Sequence, residues 1–136
     1  MNTVKREKEY EAKRFVESGE NFELTRDGKG QSSTNFPHTI VYYSPSGLDW
    51  GAGSGPAETA LNILFLATGN FNTAWSCHQK FKAEVIGKIP FHGGIIRLED
   101  VRAWLDDNRQ CWRSDINLFS GRKSAFDKQA SQLSAV

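Results

Sequence analysis

The chain has 136 residues, 38% of them hydrophobic and 12% aromatic, which is the length of one domain and far from a disordered composition. Seventeen Lys and Arg against sixteen Asp and Glu leave a formal charge of +1, so no global field draws the chain toward nucleic acid or anionic lipid. Two cysteines, Cys77 and Cys111, are too few for a secreted disulfide scaffold, no apolar leader opens the chain, and the longest apolar stretch, 57–67, is about half a bilayer crossing. The expected setting is a reducing cytoplasm, with no membrane.

Residues 1–30 interleave seven basic and seven acidic side chains, the pattern of a solvated face. Residues 3–18 are compatible with a charged helix, but Tyr10, Ala12 and Val16 alternate with charges, as do Phe22 and Leu24. With a turn at 17–21 and Asp27-Gly28 ending the second run, a two-stranded hairpin is the preferred reading. Residues 31–68 contain no Lys or Arg and only Asp49 and Glu58 as acids. Within them 38–43, His-Thr-Ile-Val-Tyr-Tyr, has the β-branched and aromatic composition of a buried strand, ended by Pro45 and Gly47.

The densest glycine cluster, 50–57, leads into a helix over 58–68, with Pro56 at its first position, Glu58 in its first turn and Gly69 as its stop. That helix is apolar on most faces and is expected at the centre of the fold. A second helix is predicted over 73–86, capped by Asn72 and stopped by Gly87 with Pro90 beyond; Trp75, Phe81, Val85 and Ile86 would form its apolar side. A short strand over 94–98 then runs into a helix over 99–105, with acids in its first turn and Val101, Trp104 and Leu105 facing inward. After Trp112 the periodicity fades, and 113–136 reads as a partly ordered extension anchored by Phe119 and Phe126. The expected fold is α+β, a small antiparallel sheet packed on two or three helices, as one domain over 1–112.

The run Ser44-Pro45-Ser46-Gly47-Leu48-Asp49-Trp50-Gly51, followed by Gly53-Ser54-Gly55-Pro56-Ala57, resembles a functionally uncharacterised family of small proteins from bacterial genomes and mobile elements. The family pattern is Ser-Pro-x-Gly-Phe-x-Trp-Gly-x-Gly-Gly-Ser-Gly-Pro-Ala ahead of an apolar helix, here Thr59-Ala60-Leu61-Asn62-Ile63-Leu64. The likeness continues through 81–86 and 98–105 and spans roughly residues 10–106. This chain has one glycine fewer in the core, Leu48 where Phe is usual, and a tail of its own from Asp107 onward. The resemblance implies the domain boundaries and favours the N-terminal hairpin; it implies no reaction and no cofactor.

Two surfaces are candidates for binding. A glycine turn feeding a helix start aims backbone N–H groups at one point, which makes Trp50, Gly51, Gly53, Ser54 and Gly55 a candidate anion or nucleotide site. The Walker pattern is absent, Pro56 removes a donor, and the same glycines serve equally to bring backbone close beneath Trp50. Ser54 lacks the flanking glycines of a nucleophile elbow and reads as a helix cap. The second candidate is a basic face built by Lys80, Lys82, Lys88, Arg109 and Arg113 with Trp112, suited to an acidic protein groove or a nucleic-acid backbone. Asp106 and Asp107, at a helix C-terminus where acids are disfavoured, hint at a surface role. Trp50 and Trp112 are expected to be partly exposed, and Trp75 and Trp104 to be core. His38, His78 and His92 and the two cysteines show no metal-ligand spacing, so no catalytic set, metal or cofactor is implied. The functional expectation is a non-enzymatic interaction protein, encoded by a phage or other mobile element, that occludes a host complex such as a defence system. Its partner is expected to be a protein, with nucleic acid a further candidate. The alternative is an anionic-ligand or nucleotide-binding protein or enzyme using the 51–56 loop.

Overall fold

In the computed structural model, which describes residues 2–112, helix α1 spans Asn2–Ser18. The hairpin expected there does not form. Buried Ala12 and Phe15, with half-buried Lys8, Glu11 and Val16, recur every three or four residues, while Tyr10, which had supplied the apparent alternation, is exposed. Three-to-four spacing is helical, and tertiary packing of that one face decides the conformation. Gly19, at φ 73°, ends the helix by donating to the Val16 carbonyl at 3.1 Å.

Strand β1 (Phe22–Arg26) follows with Phe22 and Leu24 inward and Glu23 and Thr25 outward. Its partner is β2 (Ser32–Thr34), across a turn in which Asp27 Oδ1 accepts from the Lys29 and Gln31 N–H groups at 2.8 and 2.9 Å. On its other side β1 pairs antiparallel with β3 (Gly93–Ile96), giving the sheet order β2-β1-β3. Phe15 stacks on Phe22 at 4.7 Å and Phe36 meets Phe22 edge-on at 5.2 Å, locking α1 to the sheet.

Helix α2 (Gly55–Thr68) is the centre of the fold, with every residue from Gly55 to Ala67 buried and α1, α3 and α4 in contact with it. Ser54 occupies the N-cap position but makes no side-chain capping bond, and Gly69, at φ 68°, closes the helix as expected. Leu61, Ile63, Leu64, Phe65 and Leu66 are withdrawn almost completely from water. At about 1.5–3 kcal/mol each they supply on the order of 10 kcal/mol of gross stabilisation.

Helix α3 (Phe71–Glu84) buries Ala74, Cys77, His78 and Phe81. Its cap is Asn70 rather than Asn72: the Asn70 side chain accepts from the Thr73 N–H at 3.0 Å. A 3-10 turn at Ile86–Lys88 leads to β3 and then to α4 (Leu98–Asp107), which buries Val101 and Leu105. A further helical turn at 109–112 brings Cys111 against α3, where it forms a disulfide with Cys77. The cysteines, 34 residues apart in sequence, were not expected to pair; the packing of that last turn is what joins them. The fold is thus one α+β domain with an antiparallel three-stranded sheet. No helix among the described residues is long and apolar enough to cross a membrane. The extension at 113–136, with Arg113, Phe119 and Phe126, lies outside the described residues.

Candidate functional site

The segment 38–43 is not a strand of the sheet, although its composition is that of one. Its backbone is satisfied instead by two buried polar side chains of α2, Glu58 and Asn62, one helical turn apart. Asn62 Oδ1 accepts from the Ile40 N–H at 2.7 Å and Asn62 Nδ2 donates to the Ile40 carbonyl at 2.9 Å, reproducing both halves of a strand pairing with one amide. The Glu58 carboxylate, with a side chain 0% exposed, accepts from the N–H groups of Tyr43 at 2.8 Å and Tyr42 at 3.0 Å, from Ser44, and from His38 Nε2 at 2.7 Å. Burial pushes this carboxyl up, but the hydrogen bonds outweigh that and hold it below the usual glutamate value. Glu58 is therefore ionised and can only accept, which places the proton of that contact on His38 Nε2.

This seating presents Tyr42 and Tyr43 beside α3. Tyr43 lies parallel to Trp75 at 6.2 Å and 6°, Tyr42 meets Trp75 edge-on at 4.9 Å, and Phe71 stacks on the same indole at 6.0 Å and 20°. Tyr42 is 62% exposed, Phe71 41% and Trp75 37%, and Val41 beside them is exposed as well. Trp75, expected in the core, is a surface residue, because Ala74, Cys77, His78 and Phe81 already make up the buried stripe of α3. Beneath the rings His78 is buried and held by a directed chain of hydrogen bonds. The Trp75 carbonyl can only accept, so His78 Nδ1–H donates to it at 2.6 Å and Nε2 accepts from the Tyr43 hydroxyl at 2.7 Å. Gln79 Nε2 donates to the same Tyr43 oxygen at 3.3 Å. Burial pulls the His78 pKa down, which keeps the ring neutral and the chain intact.

Next to Phe71 a groove of about 670 Å³ opens between α1 and the α2–α3 junction, floored by Ile40, Phe65 and Phe71 and edged by Lys5 and Lys8. Ile40 and Phe71 belong to both the groove and the aromatic segment, so the two form one continuous surface.

The glycine loop serves another arrangement. Asp49 Oδ1 accepts from Arg26 Nη2 at 2.7 Å and from the Trp50 and Gly51 N–H groups at 2.7 and 3.2 Å. Burial raises the Asp49 pKa, but the Arg26 and backbone hydrogen bonds bring it below its ordinary value. The Arg26 guanidinium is sandwiched between the rings of Trp50 at 4.5 Å and Phe91 at 4.2 Å. A Cβ on Gly55 would stand 2.7 Å from Asp49 Cβ, so glycine is what lets the start of α2 approach this turn. Trp50, expected to be partly exposed, is 4% exposed and donates through Nε1 to the Pro90 carbonyl at 2.9 Å. Gly53, Ser54 and Gly55 line a pit of about 330 Å³ together with Ser32, Ser44, Ser46 and Asp49, with no Lys or Arg; Gly51 and Trp50, expected at the same site, do not line it.

The expected basic face is divided. Lys80 and Lys82 are two residues apart on α3 and point to different sides, Lys80 toward Glu84 at 3.9 Å and Lys82 toward His78. Lys88 lies in the 3-10 turn. Arg109 pairs with Asp106 at 3.6 Å, which gives that acid a partner within its own segment. Trp112 is half-buried on the core and donates to the Leu105 carbonyl at 3.2 Å. Trp104 is half-buried, edge-on to Phe81, and donates to Glu84. Among the described residues no three His, Cys, Asp or Glu side chains gather as a metal site.

The chain matches, over residues 10–107, a family described only as of unknown function, DUF6166. No curated protein and no solved structure matches it.

Proposed function

We propose a function for this chain, which belongs to the DUF6166 family: it is a non-enzymatic interaction protein that docks a macromolecular partner through the face formed by Tyr42, Phe71 and Trp75. The observation that carries the reading is that three large aromatic side chains stand exposed together on a base held by buried hydrogen bonds. Tyr and Trp dominate binding energy where they are exposed in the free protein and rigidly held, because little side-chain entropy remains to be lost on docking. Encoding by a phage or other mobile element, and occlusion of a host complex such as a defence system, complete the proposal; the glycine-core resemblance supports them. A cytoplasmic setting belongs to the same reading, and the Cys77–Cys111 bond is the observation that weighs against it, since structural disulfides are rare in a reducing compartment.

The test compares two variants for partner recovery from host extract, quantified by mass spectrometry. Tyr42→Ser/Trp75→Ser should lower recovery of the partner at least ~10-fold, the loss of about one hot-spot contact. Charge reversal at Lys80 and Lys88, away from the rings, should leave it unchanged. The opposite pattern overturns the proposal.

A further inference from the structure

Resting on the reading that the aromatic face docks a macromolecule, we infer that its occupant is single-stranded nucleic acid, with bases stacked on Tyr42, Trp75 and Phe71 and phosphates met by Lys5 and Lys8. Exposed aromatic faces in a row, flanked by cations, are the combination that binds single strands: every base has a π-face to stack, and the backbone needs positive charge beside it. Here Phe71 stacks on Trp75 at 6.0 Å and Tyr42 meets Trp75 edge-on at 4.9 Å, and the outward surfaces of the three exposed rings are what bases would stack on. At the Phe71 end, the groove carries Lys5 and Lys8 against the single acid Glu9. At the other end, Lys82 lies near enough to His78 for its charge to act on that ring. Phe71, Trp75, His78 and Lys82 recur at helical spacing along one side of α3, so Lys82 continues the line of the rings on that helix.

The acid beneath the rings, Glu58, does not oppose a phosphate. It is fully buried beneath Tyr42 and Tyr43, and its charge is taken up by His38 and three backbone N–H groups. The charge complementarity is local, which is why a formal total of +1 conceals it. A protein partner would also value the aromatics, but exposed rings set beside lysines suit bases and phosphates together.

The experiment titrates the full chain with fluorescein-labelled dT12 and U12, reading anisotropy and tryptophan emission. Binding with quenched emission is expected, and Trp75→Ala should weaken it by about 5- to 150-fold, the range for losing one stacked base. With Lys5 and Lys8 each neutralising a phosphate, Lys5→Gln/Lys8→Gln should make the slope of log affinity against log salt shallower by about 1.4. Circular dichroism and urea unfolding identify any variant that has lost its fold, and Trp75→Phe, which retains a stacking face, should recover most of the affinity. No binding of either oligonucleotide at low salt overturns the inference, as does binding indifferent to both variants. If oligonucleotides fail while Tyr42→Ser/Trp75→Ser still abolishes recovery of a protein, the docking face stands and its occupant is that protein.

Discussion

Replacing Glu58 by glutamine tests the seating of the aromatic face at its narrowest point. The amide keeps the shape and one acceptor oxygen but turns the other into an NH₂ donor. Four donors converge on the carboxylate: the N–H groups of Tyr42, Tyr43 and Ser44, and His38 Nε2. His38 can change tautomer and accept from the new NH₂, so the mismatch falls on the backbone donors. One or two of them left unpaired at about 1–3 kcal/mol each place the cost near 2–4 kcal/mol at neutral pH. Glu58→Ala should cost at most about 2 kcal/mol more, because Val41 and Tyr42 are exposed and the backbone beside them can open to water. Urea unfolding should show a lowered midpoint at unchanged m, and hydrogen exchange at Ile40, Tyr42 and Tyr43 should accelerate while the interior of α2 keeps its protection. The folded carboxyl has a depressed pKa, so its contribution is full above the ordinary value of 4.5 and is lost as pH falls through the lower folded value; the gap between wild type and Glu58→Gln should close in that window. A loss under about 0.5 kcal/mol, or unchanged exchange at 42 and 43, would refute the reasoning.

His78 should govern an earlier acid step. Its folded pKa lies below the ordinary 6.5, so the unfolded chain binds its proton more tightly; stability should fall as pH drops from about 6.5 toward the folded value, and His78→Gln should flatten that slope in urea titrations between pH 7 and 5. Reduction of Cys77–Cys111 opens a closure of 34 residues, for which the chain-entropy estimate is about 4 kcal/mol, so a reducing agent should lower the melting temperature markedly; an unmoved transition would show that the bond does not constrain the folded chain. Gly93→Ala would drive a Cβ into the Leu24 carbonyl oxygen at φ 108°, and should cost about 3 kcal/mol or more, whereas Gly28→Ala, with open space around it, should stay within about 0.5 kcal/mol.

The helices from α2 onward were legible because each carries its own punctuation: Pro56 and Gly69 around α2, and the acids at Glu99 and Asp100 opening α4. The N-terminal helix was misread because, among the residues whose side chains are described, its fully buried positions are Ala12 and Phe15, too narrow a face to outweigh the coincidental alternation of Tyr10, Ala12 and Val16. Residues 38–43 have the composition of a strand, but their backbone partners are the side chains of Glu58 and Asn62 on a helix, which composition does not reveal. A signal was nonetheless present. Two acid or amide side chains, four residues apart on the most apolar helix of the chain, must find buried partners, and a nearby segment rich in β-branched and aromatic residues offers backbone N–H groups. Trp50 and Trp75 exchanged their expected environments for a related reason: Arg26 and the Pro90 carbonyl draw the first inward, while α3 fills its buried stripe without the second.

The most direct measurement is site-specific photo-cross-linking. A benzophenone amino acid at Tyr42 or Phe71, and as a control at Thr25 on the exposed face of β1, is irradiated in host extract that contains both protein and nucleic acid. The account predicts one discrete adduct shared by positions 42 and 71 and absent from 25. Cross-links at 25 alone, or equal yields at all three positions, would contradict it.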